Sequence, residues 1–302
     1  MQILCVCLSA TIQRTLFFDS FSIDSVNRTY EWREDASGKA LNAARVLNQL
    51  EAGCSLALCP VGNDNVDRFM NLVSHDHDLY VHPIITNGTI RECWTLLGGK
   101  HATTTEVICD DAQDFRHLAG AEAEVELLET VREYMQLFDA LLFAGSRPTQ
   151  WSSNLCARIC KLAIDAGKVV LADFCGNELL DTLKICTPQI IKINEDEFCR
   201  TFGGKHQTEE ELAKTICKKS AELHNIVVVT RGKNKTLAAQ DGKAFVCPSK
   251  RIKVLNTTAC GDSFSAGFLH EYLLEHDLEK SLKAGTRCAA LNAQTIIPGA
   301  IK

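Results

Sequence analysis

Short runs of apolar residues alternate with longer amphipathic segments along most of the chain. The short runs predict buried β-strands at Ile3–Leu8, Ser55–Val61, Ala140–Ala144, Val169–Phe174, Ile190–Ile193 and Ile226–Thr230. The longer segments have helical periodicity and predict helices over 41–50, 66–73, 122–137, 153–166, 178–185, 209–223, 262–274 and 278–295. Since fully apolar strands alternate with helices, the pattern indicates an α/β fold with a central, mostly parallel sheet covered on both faces.

Two segments depart from this rhythm. Leu16–Trp32 and Thr89–Val107 alternate apolar and polar residues, and Gly98-Gly99 interrupts the second segment. Period-two alternation with a Gly-Gly turn predicts hairpin strands. These strands are too polar for the main sheet, so we expect a small β-lid built from about residues 13–35 and 86–108. The chain, residues 1–302, is then expected to form one domain with this lid.

Composition excludes several classes of protein. The 302 residues are 46% hydrophobic and 23% charged, which is ordinary for a globular protein, and the formal net charge is -6. An acidic chain is a poor general nucleic-acid binder, because such binding needs a basic surface. No apolar run reaches the 18 or so residues of a membrane span. We therefore expect neither a nucleic-acid partner nor a membrane partner.

Cysteine usage indicates the compartment. The chain has 15 cysteines, an odd number, at irregular spacing and without a C-x-x-C pair. Disulfide frameworks are typical of short secreted chains, whereas reduced cysteines behave as small apolar residues. The N-terminus also lacks the basic segment of a signal peptide. We expect reduced thiols and a cytoplasmic protein.

The stretch Asn256–Leu269 carries the strongest chemical signal. Small and hydroxylated residues lead into Gly261 and Asp262, and an apolar helical pattern follows. The first turn of a helix has unpaired N–H groups that suit an anion such as phosphate. Ala259, Cys260 and Gly261 leave that backbone accessible, and Asp262 could accept a proton from an attacking hydroxyl. An Asp at this point is also a common helix N-cap, and the pattern alone leaves both roles open.

Thr258-Ala259-Cys260-Gly261-Asp262 resembles the T-G-A-G-D signature of the PfkB/ribokinase family of carbohydrate kinases. The resemblance implies a ribokinase-like three-layer α/β/α fold, ATP as phosphoryl donor and Mg²⁺ as cofactor. It makes Asp262 the catalytic base and the Ala259–Gly261 loop an anion hole. Small residues replace the first glycine and the alanine of the signature.

Further matches occur in family order on the substrate side. Ser37–Leu47 resembles G-G-K-G-x-N-x-A-x-x-L, and other segments resemble V-N-R, T-R and G-S-L-P-P. The branch of the family with these features includes 1-phosphofructokinase and tagatose-6-phosphate kinase. The resemblance implies substrate contacts from Arg28, Gly38, Lys39, Asn42, Arg91, Ser146 and Arg147. Four of these are cations, and we expect them to converge on a substrate phosphate.

The nucleotide side is matched as well. Ile191–Glu197 resembles K-x-N-x-x-E, which implies Lys192 near the phosphates, and Asn194 and Glu197 holding Mg²⁺ through water. Val229–Lys235 resembles a nucleotide-contacting [ST]-x-G loop. The resemblance therefore implies further ATP contacts from Thr230, Gly232, Lys235 and, in the last helix, Asn292.

One position departs from the branch. Relatives begin N-P-A-[IL]-D-[RK]-T, with an Asp that binds two sugar hydroxyls, whereas this chain has Gln13 there. We expect an ATP-dependent kinase of a sugar phosphate, with Gln13 in the substrate site and altered sugar specificity. The alternatives are a nucleoside or unphosphorylated-sugar kinase and a non-catalytic sugar or nucleotide sensor. A homodimer through the β-lid is a further option.

Overall fold

A computed structural model of the protein describes residues 1–98, 103–108, 120–204 and 208–302. The strands are β1 (Ile3–Val6), β2 (Thr11–Phe18), β3 (Trp32–Ser37), β4 (Ser55–Gly62), β5 (Val81–Thr86), β6 (Arg91–Gly98), β7 (Thr103–Ile108), β8 (Ala140–Ala144), β9 (Val169–Asp173), β10 (Ile190–Asn194), β11 (Ile226–Thr230), β12 (Thr236–Gln240) and β13 (Lys243–Cys247). The helices are α1 (Lys39–Leu50), α2 (Val66–Ser74), α3 (Ala121–Tyr134), α4 (Leu155–Asp165), α5 (Gly176–Leu183), α6 (Glu195–Phe202), α7 (Glu209–Leu223), α8 (Cys260–Glu275) and α9 (Leu278–Asn292).

Nine strands form a large sheet in the order β13-β12-β11-β10-β9-β8-β1-β4-β5. The seven strands from β11 to β5 run parallel, and the β12–β13 hairpin adds two antiparallel strands at one edge. The six predicted strands are all present, and the prediction of an α/β fold with a mostly parallel sheet is confirmed. The sequence pattern missed β5, β12, β13 and the helix α6.

Helices cover both faces of the large sheet. Alternate residues of β1 point to opposite sides, so Ile3 and Cys5 join one apolar cluster while Leu4 and Val6 join the other. The first cluster includes residues of α1, α2, α8 and α9, and the second includes residues of α3 to α7. This is the expected three-layer α/β/α arrangement. Among the described helices, none combines the length and apolarity that a bilayer span requires.

The other four strands form a small sheet in the order β3-β2-β6-β7. It joins two chain segments, because β2 pairs with β6 in parallel while β3 and β7 pair antiparallel at the edges. Its strands extend from Thr11 to Ser37 in the first segment, so the prediction of strand over Leu16–Trp32 was largely wrong. Residues 19–31 form the connection, whose alternating apolar residues Ile23 and Val26 are exposed. The predicted turn residue Gly99 lies outside the described residues.

The small sheet has two distinct faces. On one face, the guanidinium of Arg14 lies over the rings of Trp32 and Trp94, at 5.3 and 5.2 Å from their centroids, and forms an ion pair with Glu34. We call this the aromatic face. Thr258, in the loop before α8, donates a hydrogen bond to Glu106 on the opposite face. That opposite face, here called the inner face, therefore lies against the segment in which the sequence predicts catalysis.

Candidate active site

The loop before α8 ends in an unusual backbone conformation. Ala259 has φ 64° and forms the N-cap, so α8 begins at Cys260. A positive φ is uncommon for a residue other than glycine and marks a fixed turn. The loop is held by the Asn256 side chain, which accepts from the Thr258 amide at 2.9 Å, and by Asn292, which donates to the Thr258 carbonyl at 2.8 Å. The first-turn N–H groups of α8 are thereby fixed in one orientation.

Asp262 is the third residue of α8 and is 7% exposed. Its side chain does not cap the helix; instead its Oδ2 accepts a hydrogen bond from Asn42 Nδ2 at 2.9 Å. Burial, followed by the negative charge of Asp173, raises the pKa of Asp262 to about 6. A carboxylate with a pKa near neutrality is well suited to accept a proton from a hydroxyl. Of the two roles that the sequence left open, this geometry supports the base.

Asn42 is oriented by two donors. Ser37 Oγ and Arg45 Nη1 donate to Asn42 Oδ1 at 2.9 and 3.1 Å, so the amide nitrogen must face Asp262. Ser37 ends β3 of the small sheet, and Arg45 is itself anchored on the Ala36 carbonyl at 2.7 Å. The expected inward orientation of Asn42 is therefore present, and it connects the small sheet to the carboxylate of Asp262.

Sequence reasoning missed a buried carboxylate beside this site. Asp173 ends β9, is fully buried, and accepts hydrogen bonds from Lys192 Nζ at 2.8 Å and Ser265 Oγ at 2.7 Å. Its other oxygen lies 3.6 Å from Lys39 Nζ. Burial would raise the pKa of Asp173, but the charges of Lys192 and Lys39 outweigh it and hold the pKa below its ordinary value. Asp173 thus joins two predicted site residues that come from distant parts of the sequence.

Lys192 lies directly beside the anion hole. A Cβ placed on Gly261 would be 3.1 Å from Lys192 Nζ, so the ammonium contacts the backbone of the first turn of α8. The small side chains at this turn and the adjacent cation together make a surface that suits a phosphoryl group. The contact of Lys192 with the phosphates of ATP stays a prediction.

Asn194 and Glu197 form the N-terminal capping box of α6. Asn194 Oδ1 accepts from the Glu197 amide at 2.8 Å, and Glu197 Oε2 accepts from the Asn194 amide at 2.9 Å. Glu197 Oε1 also lies 3.3 Å from Lys39 Nζ. Because Lys39 lies between Glu197 and Asp173, these two carboxylates raise its pKa. Lys39 is therefore paired with two carboxylates of the site, Asp173 and Glu197.

The described residues hold no cluster of three or more His, Cys, Asp or Glu side chains that could ligate a metal directly. The chemistry of Asn194, Glu197 and Asp173 nevertheless fits a hydrated Mg²⁺, since Mg²⁺ keeps several waters and binds oxygen ligands. A cation, the Lys39 ammonium, already occupies the space between the two carboxylates. The contact of Asn194 and Glu197 with Mg²⁺ through water stays a prediction.

The four cations expected on a substrate phosphate lie in different surroundings. Arg91 Nη2 donates to the Ser9 carbonyl at 3.0 Å beside a cavity of about 50 Å³, and within the described part of the chain its buried Nε has no hydrogen-bond partner. Arg147 donates to the Trp151 carbonyl at 2.7 Å and pairs with Glu178 at 3.3 Å. Arg28 lines a separate cavity beneath the small sheet, and Lys39 is paired as described above. The structure therefore does not bring these four side chains together.

Several other predicted site residues lie at or just beyond the ends of strands. Gly38 has φ 136°, and a Cβ there would lie 2.9 Å from Cys7 Sγ, so this position requires glycine. Ser146 is exposed just beyond β8. Thr230 ends β11 opposite Asn194 of β10, and the turn at Gly232 follows.

Two residues that were predicted to contact ATP instead form an ion pair or hydrogen bonds with other residues of the chain. Lys235 Nζ is paired with Glu209 at 2.9 Å on the surface. Asn292 is 1% exposed; it donates to the Thr258 carbonyl and accepts from the Gly299 amide at 2.7 Å. Asn292 thus holds the loop before α8 rather than facing open space.

Gln13 lies on the inner face of the small sheet. Its side-chain amide donates to Thr95 Oγ1 at 2.7 Å, and both residues are buried. The position that the resemblance assigns to sugar binding is therefore on the expected surface, with an amide in place of a carboxylate.

Comparison with known proteins agrees with this geometry. The model of the pfkB family of carbohydrate kinases matches residues 2–300. This chain belongs to the pfkB family. The predicted family is therefore confirmed, and with it an ATP-dependent phosphotransferase that acts on an alcohol group.

Named pfkB relatives span nearly the whole chain. A tagatose-6-phosphate kinase of Staphylococcus epidermidis is 24% identical over 297 residues, covering 96% of this chain and 92% of the relative. A possible 1-phosphofructokinase of Thermotoga maritima superposes with a TM-score of 0.86 at 18% identity, covering 100% and 94% of the two chains. Phosphofructokinase-2 of Escherichia coli in complex with fructose-6-phosphate gives 0.84 at 16% identity, covering 97% and 93%. These solved structures confirm the predicted ribokinase-like fold.

Proposed function

We propose that this protein transfers the γ-phosphoryl group of ATP to a hydroxyl of a phosphorylated hexose, with Asp262 as the catalytic base. The observation that carries the proposal is the buried Asp262 carboxylate, which Asn42 orients in the first turn of α8. The names of the relatives, tagatose-6-phosphate kinase and possible 1-phosphofructokinase, support a sugar phosphate as the acceptor.

In this proposal, groups of the chain itself accept the proton of the sugar hydroxyl and stabilise the negative charge on the phosphoryl group. Asp262 takes the proton of the sugar hydroxyl as the hydroxyl oxygen attacks the γ-phosphorus. The bond from that phosphorus to the bridging oxygen breaks, and ADP leaves. The first-turn N–H groups of α8 and the Lys192 ammonium face the negative charge on the transferring group. Such preorganised donors supply most of the catalysis in phosphoryl transfer, where positioning and electrostatics dominate.

Mg²⁺ and the small sheet complete the proposal. Asn194, Glu197 and Asp173 would hold hydrated Mg²⁺, which neutralises phosphate charge when bound. The remaining proposed ATP contacts are Thr230, which ends β11 opposite Asn194, and Gly232 in the turn that follows. The small sheet acts as a lid that excludes water from the transferring group, because water in the site would hydrolyse ATP.

Arg91 is the cation best placed for the phosphate of the sugar. Among the described residues its buried Nε has no hydrogen-bond partner; the Nε of Arg147 has none either, but Arg147 already pairs with Glu178. The cavity beside Arg91 is lined by Ser9, Pro148 and Trp151. A buried guanidinium nitrogen with an unused hydrogen is costly unless an acceptor such as a phosphate meets it. Ser146 is exposed beyond the end of β8, two residues before Pro148, which lines this cavity.

The aromatic face supports self-association. Trp32, Trp94 and Val107 are exposed on it, and exposed apolar patches mark contact surfaces. The related phosphofructokinase-2 from Escherichia coli has a tetrameric inhibited form. We therefore propose a homodimer through the small sheet. Described cysteines such as Cys5, Cys7 and Cys54 carry free thiols, which supports the proposed cytoplasmic location.

The deciding experiment is ATP turnover over a panel of sugars, nucleosides and hexose phosphates. Efficient turnover of a hexose phosphate, with little turnover of the matching free hexose, is expected. Preference for a free sugar or a nucleoside would indicate a nucleoside or unphosphorylated-sugar kinase instead. Ligand binding without turnover on every member would favour a sensor, and Asp262 would then have no catalytic role.

A further inference from the structure

The inner face of the small sheet carries two buried polar residues directly opposite each other. Gln13 of β2 and Asp35 of β3 are register partners, and they are 6% and 8% exposed. Side chains of such cross-strand partners lie on one face, with Cβ atoms about 4.5–5.5 Å apart. Asp35 is therefore a carboxylate on the same surface as the expected sugar-binding position.

This surface leads to the proposed base. Ser37, two residues after Asp35 in β3, lies on the same face and donates to Asn42 at 2.9 Å. Asn42 in turn donates to Asp262 at 2.9 Å. A sugar that presents a hydroxyl to Asp262 would thus present further hydroxyls along β3.

The two residues differ in what they can offer a sugar. The Gln13 amide already donates to Thr95. Asp35 pairs with Arg33 of its own strand through both carboxylate oxygens. A carboxylate has about four lone-pair positions, so this pairing leaves two for other donors. Hydroxyl groups are donors, and their bonds to a carboxylate are strengthened by its charge.

We propose that Asp35 is a specificity-determining residue that accepts hydrogen bonds from two neighbouring hydroxyls of the sugar. Arg33 holds the carboxylate in place, and Gln13 packs beside it. The inference rests on the proposed sugar kinase activity and deepens it. The carboxylate that binds the sugar hydroxyls is therefore in β3, at Asp35, rather than in β2, where relatives have an Asp and this chain has Gln13. The enzyme accordingly favours a sugar phosphate whose adjacent hydroxyls face β3.

The neighbouring residue provides a matched control. Glu34 is also a carboxylate of β3 and also pairs with arginines, Arg14 and Arg68, but it lies on the opposite face. Asp35→Asn and Glu34→Gln therefore each neutralise a carboxylate in an ion pair of the same strand. Only Asp35→Asn should alter sugar recognition.

The experiment measures kcat and KM with the best hexose phosphate of the panel and with its single-deoxy analogues. Asp35→Asn should raise KM for the sugar phosphate about tenfold or more, since hydrogen bonds to charged groups are the strong ones. KM for ATP should stay at the parental value. The parent should prefer the hexose phosphate to the deoxy analogue that lacks the hydroxyl bound by Asp35. The Asp35→Asn variant should lose that preference. Parental KM and preference in Asp35→Asn, or equal changes in Glu34→Gln, would overturn the inference.

A charge-conserving exchange keeps the test decisive if Asp35→Asn folds poorly. Gln13→Asp with Asp35→Asn leaves one carboxylate on the inner face and moves it to the neighbouring strand. We expect a changed order of preference among epimeric hexose phosphates. An unchanged order would overturn the inference. A parent protein without turnover on the whole panel would instead overturn the proposed function, and this inference with it.

Discussion

The side-chain amide of Asn42 donates a hydrogen bond to the Asp262 carboxylate over 2.9 Å. This contact joins the first turn of α1 to the first turn of α8, which lie far apart in the sequence. Ser37 and Arg45 fix the Asn42 amide, so the orientation of Asp262 depends on the end of β3. The end of β3 in the small sheet is therefore physically connected to the proposed base.

Replacing the proposed base should separate activity from stability. Asp262→Asn should lower kcat by about 10²–10⁴, the usual contribution of a general base. The same variant should be more stable near neutral pH. The pKa of Asp262 rises from 3.8 to about 6 on folding, so ionising it there costs about 3 kcal/mol. Steady-state kinetics and thermal melting measure the two effects.

The control for this variant is Asp165→Asn, which neutralises an exposed carboxylate at the end of α4. It should change neither kcat nor the melting temperature noticeably, because exposed ion pairs contribute little. An Asp262→Asn enzyme with parental kcat would contradict the assignment of the base.

The pH dependence should report Asp262 directly. The base must be ionised, so kcat/KM of the parent should rise with pH and reach half its plateau near pH 6. Asp173→Asn removes a like charge, which should shift that midpoint to lower pH. Ser265→Ala removes a hydrogen bond to Asp173 but leaves its charge, so its midpoint should stay near the parental one. A midpoint that Asp173→Asn does not move would show that the two carboxylates are not coupled.

Lys192 should matter for folding as well as for phosphoryl transfer. Lys192→Met leaves the buried Asp173 without its closest cation, and breaking a buried ion pair typically costs about 3–5 kcal/mol. Lys235→Met breaks an exposed pair with Glu209 and should cost less than about 1 kcal/mol. Urea denaturation measures both free energies of unfolding. Equal losses in the two variants would mean that Asp173 finds other partners.

Arg91 should distinguish the sugar phosphate from the free sugar. Arg91→Met should raise KM for the hexose phosphate about tenfold or more and change KM for ATP little. Arg147→Met is the comparison, because Arg147 is bonded to Glu178 and the Trp151 carbonyl. A larger KM effect from Arg147 than from Arg91 would reverse the assignment of the phosphate subsite.

The main elements could be predicted from the sequence because their burial is local and regular. Strands such as Ala140–Ala144 are apolar at every position, since helices cover both faces. The missed strands lack that signal: β5 contains Pro83, β12 has two alanines, and β13 is an exposed edge strand. The start of β2 was missed because Thr11 and Gln13 are polar residues buried by tertiary contacts.

The candidate site was predictable only where a short motif marks it. Asp262 and Glu197 stand in recognisable sequence patterns at helix starts. Asp173 is simply the last residue of an apolar strand, and its importance arises from Lys39 and Lys192, which only the fold brings to it. Similarly, the expected convergence of cations depended on side-chain directions, which spacing along the chain does not determine.

The stacking of Arg14 between two indole rings has a spectroscopic consequence. The chain has three tryptophans; Trp32 and Trp94 contact Arg14 on the small sheet, and Trp151 lines the cavity beside Arg91. All intrinsic indole fluorescence therefore originates in the small sheet or beside the proposed phosphate subsite. Emission should respond when a sugar phosphate binds or when two small sheets associate, and the natural protein already carries the reporters needed to follow those events in solution.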